Sequence, residues 1–200
     1  MKLIEAIQTR RDTRHFTPES VPPRVLNKAL LAAAHGPSVG LSQPARFVRI
    51  QSPERRHALQ ALFVNHREAN ETNLVPDHVL TLHRTLKLEA LEDAPVVIGV
   101  FCESPTDPYV IGAMTAKNVF EWSVACSVQN MWLALTEEGF SLGWVTYLDL
   151  GAVNAIADVP VNWACMGLLC VGRPESDYAG KPMLELQGWA KRKPQILLER

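Results

Sequence analysis

The period at which apolar residues recur changes along the chain, and each change marks an element. Residues 3–9 form a short amphipathic stretch that runs into the basic sequence Arg10-Arg11-Asp12-Thr13-Arg14. Between 23 and 35, Val25, Leu26, Ala29, Leu30 and Ala33 recur at helical spacing. Pro23 suits the first turn of that helix and Gly36-Pro37 ends it. A short strand is expected at 47–50. Residues 53–92 are polar and mostly helix-like, with a break near 73–76. Ala94-Pro95 then leads into Val96-Val97-Ile98-Gly99-Val100-Phe101-Cys102. An unbroken apolar run of this length predicts a strand buried on both faces.

The segment 118–138 predicts a long helix that is apolar on nearly every face. Such a helix has to be covered all round, by its own domain and by a second subunit. Two more strands are expected at 143–147 and 164–171, with a helix at 151–157 between them. The tail, 188–200, is basic and then apolar, and reads as an arm leaving the core. Helices and strands mix without strict β-α-β alternation, which predicts an α+β layered domain rather than a doubly wound sheet.

Composition narrows the classes of function. Two hundred residues, 47% hydrophobic and 20% charged, suffice for one domain with a sizeable core. A formal net charge of -1 gives no global field toward nucleic acid or an anionic membrane, so neither is expected as a partner. The start, MKLIEAIQTRRD, lacks the apolar core of a signal peptide, and no apolar run is long enough to span a membrane. Cys102, Cys126, Cys165 and Cys170 form no C-x-x-C pair and sit among apolar residues, as buried reduced thiols of a cytoplasmic protein would. The six histidines are scattered, and no metal centre is expected. G-x-G-x-x-G, G-x-x-x-x-G-K-[ST], G-x-S-x-G and H-E-x-x-H are all absent. Their absence argues against a resident dinucleotide on a Rossmann unit, a P-loop nucleotide, and the commonest hydrolase and zinc-protease sites.

Four stretches carry candidate chemistry. The arginines of residues 10–14 form an anion site if they converge, because a guanidinium pairs bidentately with phosphate; a solvated helix end is the alternative. Residues 36–44, Gly-Pro-Ser-Val-Gly-Leu-Ser-Gln-Pro, make a loop whose backbone donors, hydroxyls and amide suit a flat polar ligand, or serve only as a connection. Gly143-Trp144-Val145-Thr146-Tyr147 reads as a strand carrying aromatics, in the core or at a sheet edge. Gly188-Trp189-Ala190-Lys191-Arg192-Lys193-Pro194 is a late basic cluster, by itself a solvated tail.

Taken in order over almost the whole chain, these stretches resemble the nitroreductase family. The resemblance rests on R-R-x-x-R after the first helix, P-S-x-x-x-x-Q-P before the first strand, an apolar helix with Val128-Gln129-Asn130, a glycine-led strand and a late Arg-x-Pro arm. It implies one α+β domain over 1–200, with a central, mostly antiparallel sheet flanked by helices. The long helix would lie at a homodimer interface, with FMN between the subunits. A lid at about 65–92 and a C-terminal arm at about 186–200 complete that picture.

Carried over by motif, Arg10, Arg11, Arg14 and Arg192 would hold the FMN phosphate and its surroundings. Pro37, Ser38, Val39, Gly40 and Gln43 would line the isoalloxazine, and the backbone at Val145 and Thr146 would approach its N5 edge. Asp12, with Leu86-Lys87-Leu88-Glu89, Trp132-Leu133-Ala134 and Gly188-Trp189, is similar to the branch of the family that fragments reduced FMN with O2 to make the lower ligand of vitamin B12. There Asp12 and Thr146 would be catalytic, the carboxylate accepting and returning protons. The alternative is a reductase of nitro, quinone or enal substrates using NAD(P)H, which the divergent segment 113–121 favours. A flavin-binding protein without turnover is a third reading.

Overall fold

The computed structural model describes residues 1–107, 109–176 and 180–199. Seven α-helices and four strands follow in the order α1 (Leu3–Thr9), α2 (Pro23–Ala34), β1 (Ala45–Arg49), α3 (Pro53–Asn73), α4 (Asp77–Thr85), β2 (Val96–Glu103), α5 (Val119–Glu137), β3 (Ser141–Val145), α6 (Leu150–Ala157), β4 (Trp163–Gly172) and α7 (Met183–Leu186). The strands form one antiparallel sheet in the order β1-β2-β4-β3, with Phe47 opposite Val100, Ile98 opposite Leu169 and Leu142 opposite Val171.

Side chains alternate across a strand, so β2 feeds two cores. Val96, Ile98, Val100 and Cys102 pack with Val25, Leu26 and Ala29 of α2 and Val124, Val128, Met131 and Leu135 of α5. Val97 and Phe101 point the other way, toward Leu59 and Phe63 of α3 and Val153 and Ala157 of α6. The sheet is therefore covered on both faces, which is why β2 has no polar alternation in an antiparallel setting. Between Val100 and Phe101 the register shifts, leaving Met166 of β4 without a partner beside Gly167, whose φ of 122° favours glycine.

Local chemistry sets the helix starts. The Ser52 hydroxyl accepts from the Arg55 amide ahead of Pro53, and the Asp149 carboxylate accepts from the amides of Gly151 and Ala152. One boundary shifts clearly. The strand expected at 143–147 begins and ends two residues earlier, leaving Thr146 and Tyr147 beyond its end, because residues 141–145 are the ones laddered against β4. The short helix α7 carries no periodic signal of its own. Of the expected arm, residues 190–199 are irregular and exposed, and Arg200 lies outside the described residues. Among the described residues no helix is long and apolar enough to cross a membrane.

Candidate functional site

The strand β3 is an edge of the sheet, and residues 10–14 run along it. Leaving α1, the chain forms a parallel bridge between Asp12 and Leu142, and the Thr13 amide donates to the Leu142 carbonyl at 3.2 Å. The hydroxyls of Thr13 and Ser141 meet at 2.6 Å in the interior, and Ser141 also donates to the Arg11 carbonyl at 3.1 Å. Extended backbone alternates its side chains, so Arg11 and Thr13 turn inward while Asp12 faces out.

Three arginines gather here. The Arg10 guanidinium lies over the Trp132 ring, 4.4 Å from its centroid. Arg11 is buried and donates to the carbonyls of Gln8, Arg10 and Gly180, yet its Nε has no partner among the described residues. Burial lowers the Arg10 pKa, Asp12 raises it, and the charge of Arg192 lowers it further. Arg11 is lowered by burial, then by Arg192 and Arg10. Arg192 of the tail thus comes within electrostatic reach of residues more than half the chain away. A cavity of about 240 Å³ opens beside them, lined by Arg10, Arg11, Thr13, Ser141, Ser176 and Gly180 among others. Like charges gathered beside a cavity, with one buried donor unpaired, fit an anion such as a phosphate.

Asp12 and Arg14 form a second group. Arg14 grips both oxygens of Asp12, at 2.7 and 2.8 Å, and the Trp144 amide donates to Asp12 Oδ1 at 2.9 Å. The carboxylate is 49% exposed, and the Arg14 side chain only 7%. Val145 and Thr146 follow directly: Val145 is buried and Thr146 exposed, beside the glycine bend of β4. Arg14, expected at the phosphate, thus has its guanidinium engaged with Asp12.

The loop 36–43 lies elsewhere, on α5. The Val39 amide donates to Ser123 Oγ at 3.1 Å, and a Cβ on Gly36 would sit 2.9 Å from the Ser127 backbone. Gln43 donates through Nε2 to the Ala34 carbonyl and through its amide to Ser38 Oγ, each at 3.2 Å. Gly40, Leu41 and Gln43 have φ of 51°, 54° and 45°. Left-handed backbone at the two non-glycine positions costs on the order of 1–3 kcal/mol each, and such strain concentrates at ligand-binding sites. Pro37, Gly40 and Gln43 are exposed, with Ser38 and Val39 half-buried. A cavity of about 250 Å³ is lined by Gly36, Ser38, Gln43, Arg46, Phe47 and Ser127, among others. It shares no lining residue with the arginine cavity. Within one chain, then, the arginine cavity and the loop cavity are lined by different residues, and Asp12, Val145 and Thr146 line neither.

Aromatic and histidine side chains join both ends of the site through contacts that the sequence did not foretell. Trp132, on α5, supports Arg10. Tyr147 meets His66 at 5.2 Å and His83 at 5.8 Å between ring centroids, and His83 meets Trp189 at 6.0 Å. The inner face of α3 and α4 is thereby packed on the segment that follows β3. The cysteines take no part: burial pushes the Cys102 and Cys165 thiols up to about 11 and Cys170 to about 12, far from thiolate at neutral pH. Among the described residues, no group of three His, Cys, Asp or Glu side chains is placed to hold a metal ion.

The chain is similar to known proteins along most of its length. The 5,6-dimethylbenzimidazole synthase of Rhodospirillum rubrum is 36% identical over 194 residues, covering 96% of this chain and 91% of that protein. The synthase of Rhodobacter capsulatus is 31% identical over 96% of this chain and 92% of its own length. In fold, the chain matches an iodotyrosine deiodinase bound to FMN and 3-iodo-L-tyrosine with a TM-score of 0.77, at 21% identity, over 99% and 98% of the two chains. A BluB-like flavoprotein from Clostridium difficile 630 matches with a TM-score of 0.71, at 18% identity, over 99% and 95%. The profile described as "Nitroreductase family" spans residues 7–173, from within α1 to just past β4. The chain therefore belongs to the nitroreductase family.

Proposed function

We propose that this protein is an FMN-dependent oxidoreductase that acts as a 5,6-dimethylbenzimidazole synthase, taking reduced FMN and O2 as substrates. The observation that carries this reading is the Asp12 carboxylate, pinned beside the Val145–Thr146 segment and still half open to solvent. The identities of 36% and 31% to proteins named for that activity support it.

On this reading Arg10, Arg11 and Arg192 hold the phosphate. The unpaired Arg11 Nε and the mutual repulsion of the three guanidiniums are what an anion would relieve. Pro37, Ser38, Val39, Gly40 and Gln43 offer a strained polar loop for the flat ring system, and Val145 and Thr146 flank its reactive edge. Bound reduced FMN supplies two electrons to oxygen and, in this reaction, also the ring carbons of the product. Asp12 takes and returns protons beside it, a role the serine usual in ordinary nitroreductases would fill poorly. The span 65–92 acts as a lid that keeps bulk water out, and 186–200 as an arm. Because the two cavities are separate within one chain, we place each complete site between the two copies of a cytoplasmic homodimer.

A second reading, an NAD(P)H-dependent nitro, quinone or enal reductase, is favoured by the segment 113–121, which departs from the synthase pattern. The deciding experiment mixes purified protein with reduced FMN in air and follows the products by liquid chromatography with mass detection. Formation of 5,6-dimethylbenzimidazole with loss of flavin is the expected result. Intact reoxidised flavin, with turnover on added nitro or quinone acceptors, would favour the reductase, and no turnover with any donor would leave a flavin-binding protein.

A further inference from the structure

Arg14 stands in the sequence as one of three arginines, but its surroundings differ from those of the other two. Its Nη1 and Nη2 hold the two oxygens of Asp12 at 2.7 and 2.8 Å, while Nη2 also donates to the Trp144 carbonyl at 3.0 Å. The Trp144 amide donates to Asp12 Oδ1 at 2.9 Å, which closes a ring of four hydrogen bonds through Asp12, Arg14 and Trp144. Nε donates to the carbonyl of Leu88, in the segment that joins α4 to β2, at 2.9 Å. A buried cation therefore anchors an exposed carboxylate from behind, at one end to β3 and at the other to the foot of the α3–α4 hairpin.

The arrangement meets a specific need. Asp12 lies next in sequence to Arg10 and Arg11 and already acts on the Arg10 charge. An aspartate free to rotate at this point would swing toward the clustered arginines and compete with any anion for them. A bidentate guanidinium fixes both the plane and the direction of the carboxylate, which a lysine ammonium does not. We propose that Arg14 is a positioning residue for Asp12: it fixes the carboxylate against the Trp144 amide, next in the chain to Val145 and Thr146, and keeps it from pairing with Arg10, Arg11 or Arg192. This deepens the functional reading above and rests on it for the catalytic role of Asp12, though not for the geometry.

The test is a double-mutant cycle with Asp12→Asn, Arg14→Gln, Arg14→Lys and the double variant. Each is measured for 5,6-dimethylbenzimidazole formation and for FMN affinity by fluorescence titration. The Asp12 ¹³C-carboxyl signal, assigned by its loss in Asp12→Asn, is followed in flavin-free protein. Arg14→Gln is expected to cut product formation by about tenfold or more. It should cost little further in the Asp12→Asn background, since the two residues act as a unit. Arg14→Lys, which keeps the charge without the fork, should fall between and keeps the test open if the glutamine variant does not fold. The Asp12 signal should move in both single variants at Arg14. A loss of FMN affinity that persists in the Asp12→Asn background would make Arg14 a phosphate ligand instead. Losses that multiply across the cycle would make it a separate contributor. If the wild type makes no benzimidazole, the functional reading fails, and the carboxyl signal still decides the placement: an unmoved signal overturns it.

Discussion

At position 143 the edge strand has no room for a side chain. A Cβ there would stand 2.0 Å from the Thr13 carbonyl oxygen and 2.3 Å from an Arg14 guanidinium nitrogen. Glycine lets residues 13 and 14 cross β3 closely enough for Arg14 to reach Asp12 and Trp144. Gly143→Ala should therefore destabilise the protein by about 1–3 kcal/mol through overpacking, read as a lower denaturant midpoint. It should also weaken benzimidazole formation, since the residues displaced are those that hold Asp12; a variant as stable and active as wild type would show that the crossing has slack. Arg192 makes the complementary case at the proposed phosphate site. It is exposed, so Arg192→Ala should leave stability within about 0.5 kcal/mol. FMN affinity should fall by about tenfold, the loss of one charge-assisted contact of about 1.4 kcal/mol or more. An unchanged flavin titration would remove Arg192 from the phosphate.

Among the elements, the α3–α4 hairpin is held by one acid. Glu71 accepts from Arg67 Nε and Arg84 Nε, each at 3.0 Å, and meets His83 Nδ1 at 3.1 Å. Arg67 first, and then Arg84, bring its carboxyl from 4.5 down to about 2. A depressed acid stabilises the fold above its unfolded pKa and loses that contribution as pH falls through its folded one. The stability difference between wild type and Glu71→Gln should thus be full above pH 4.5 and shrink as pH falls toward 2. Denaturant midpoints measured across that window check it, and a pH-independent difference would mean that the ion pairs contribute nothing. This latch also shows what sequence could carry. The helices on either side of the break near 73–76 were legible from polar patterning, and β2 from its apolar run. The meeting of Tyr147, His83 and Trp189 was not, because it joins three segments through tertiary packing with no local period. β3 was displaced by two residues for a related reason: Thr146 and Tyr147 have strand-like character, but β4 offers them no ladder. The motif of residues 10–14 was legible as a group of cations. That Arg10 and Arg11 line a cavity while Arg14 engages Asp12 depends on how that stretch lies along β3.

At the scale of the whole molecule, the chain leaves part of its apolar surface uncovered. Along α5, Trp122, Cys126, Gln129 and Leu133 fall on one face at helical spacing, and that face is not closed within the chain; Trp122 is 60% exposed. Leu3, Ile4 and Ile7 of α1, which packs against α5, are exposed too, as are Ile196, Leu197 and Leu198 of the arm. Apolar surface on a central helix, on its neighbour and on the exposed end of the tail is what a symmetric partner would cover. The two cavities add a functional reason, since no residue of the chain lines both. The wild type should therefore run as a dimer by light scattering. Trp122→Arg, which places a charge in the uncovered face, should yield monomers and lower FMN affinity by at least about tenfold, although Trp122 lines neither cavity. A monomeric variant that keeps full flavin affinity would mean that one chain suffices for the site. A variant that remains dimeric with unchanged affinity would put the subunit contact on another face. Loss of both together ties assembly and cofactor binding to the same surface, as separate half-sites require.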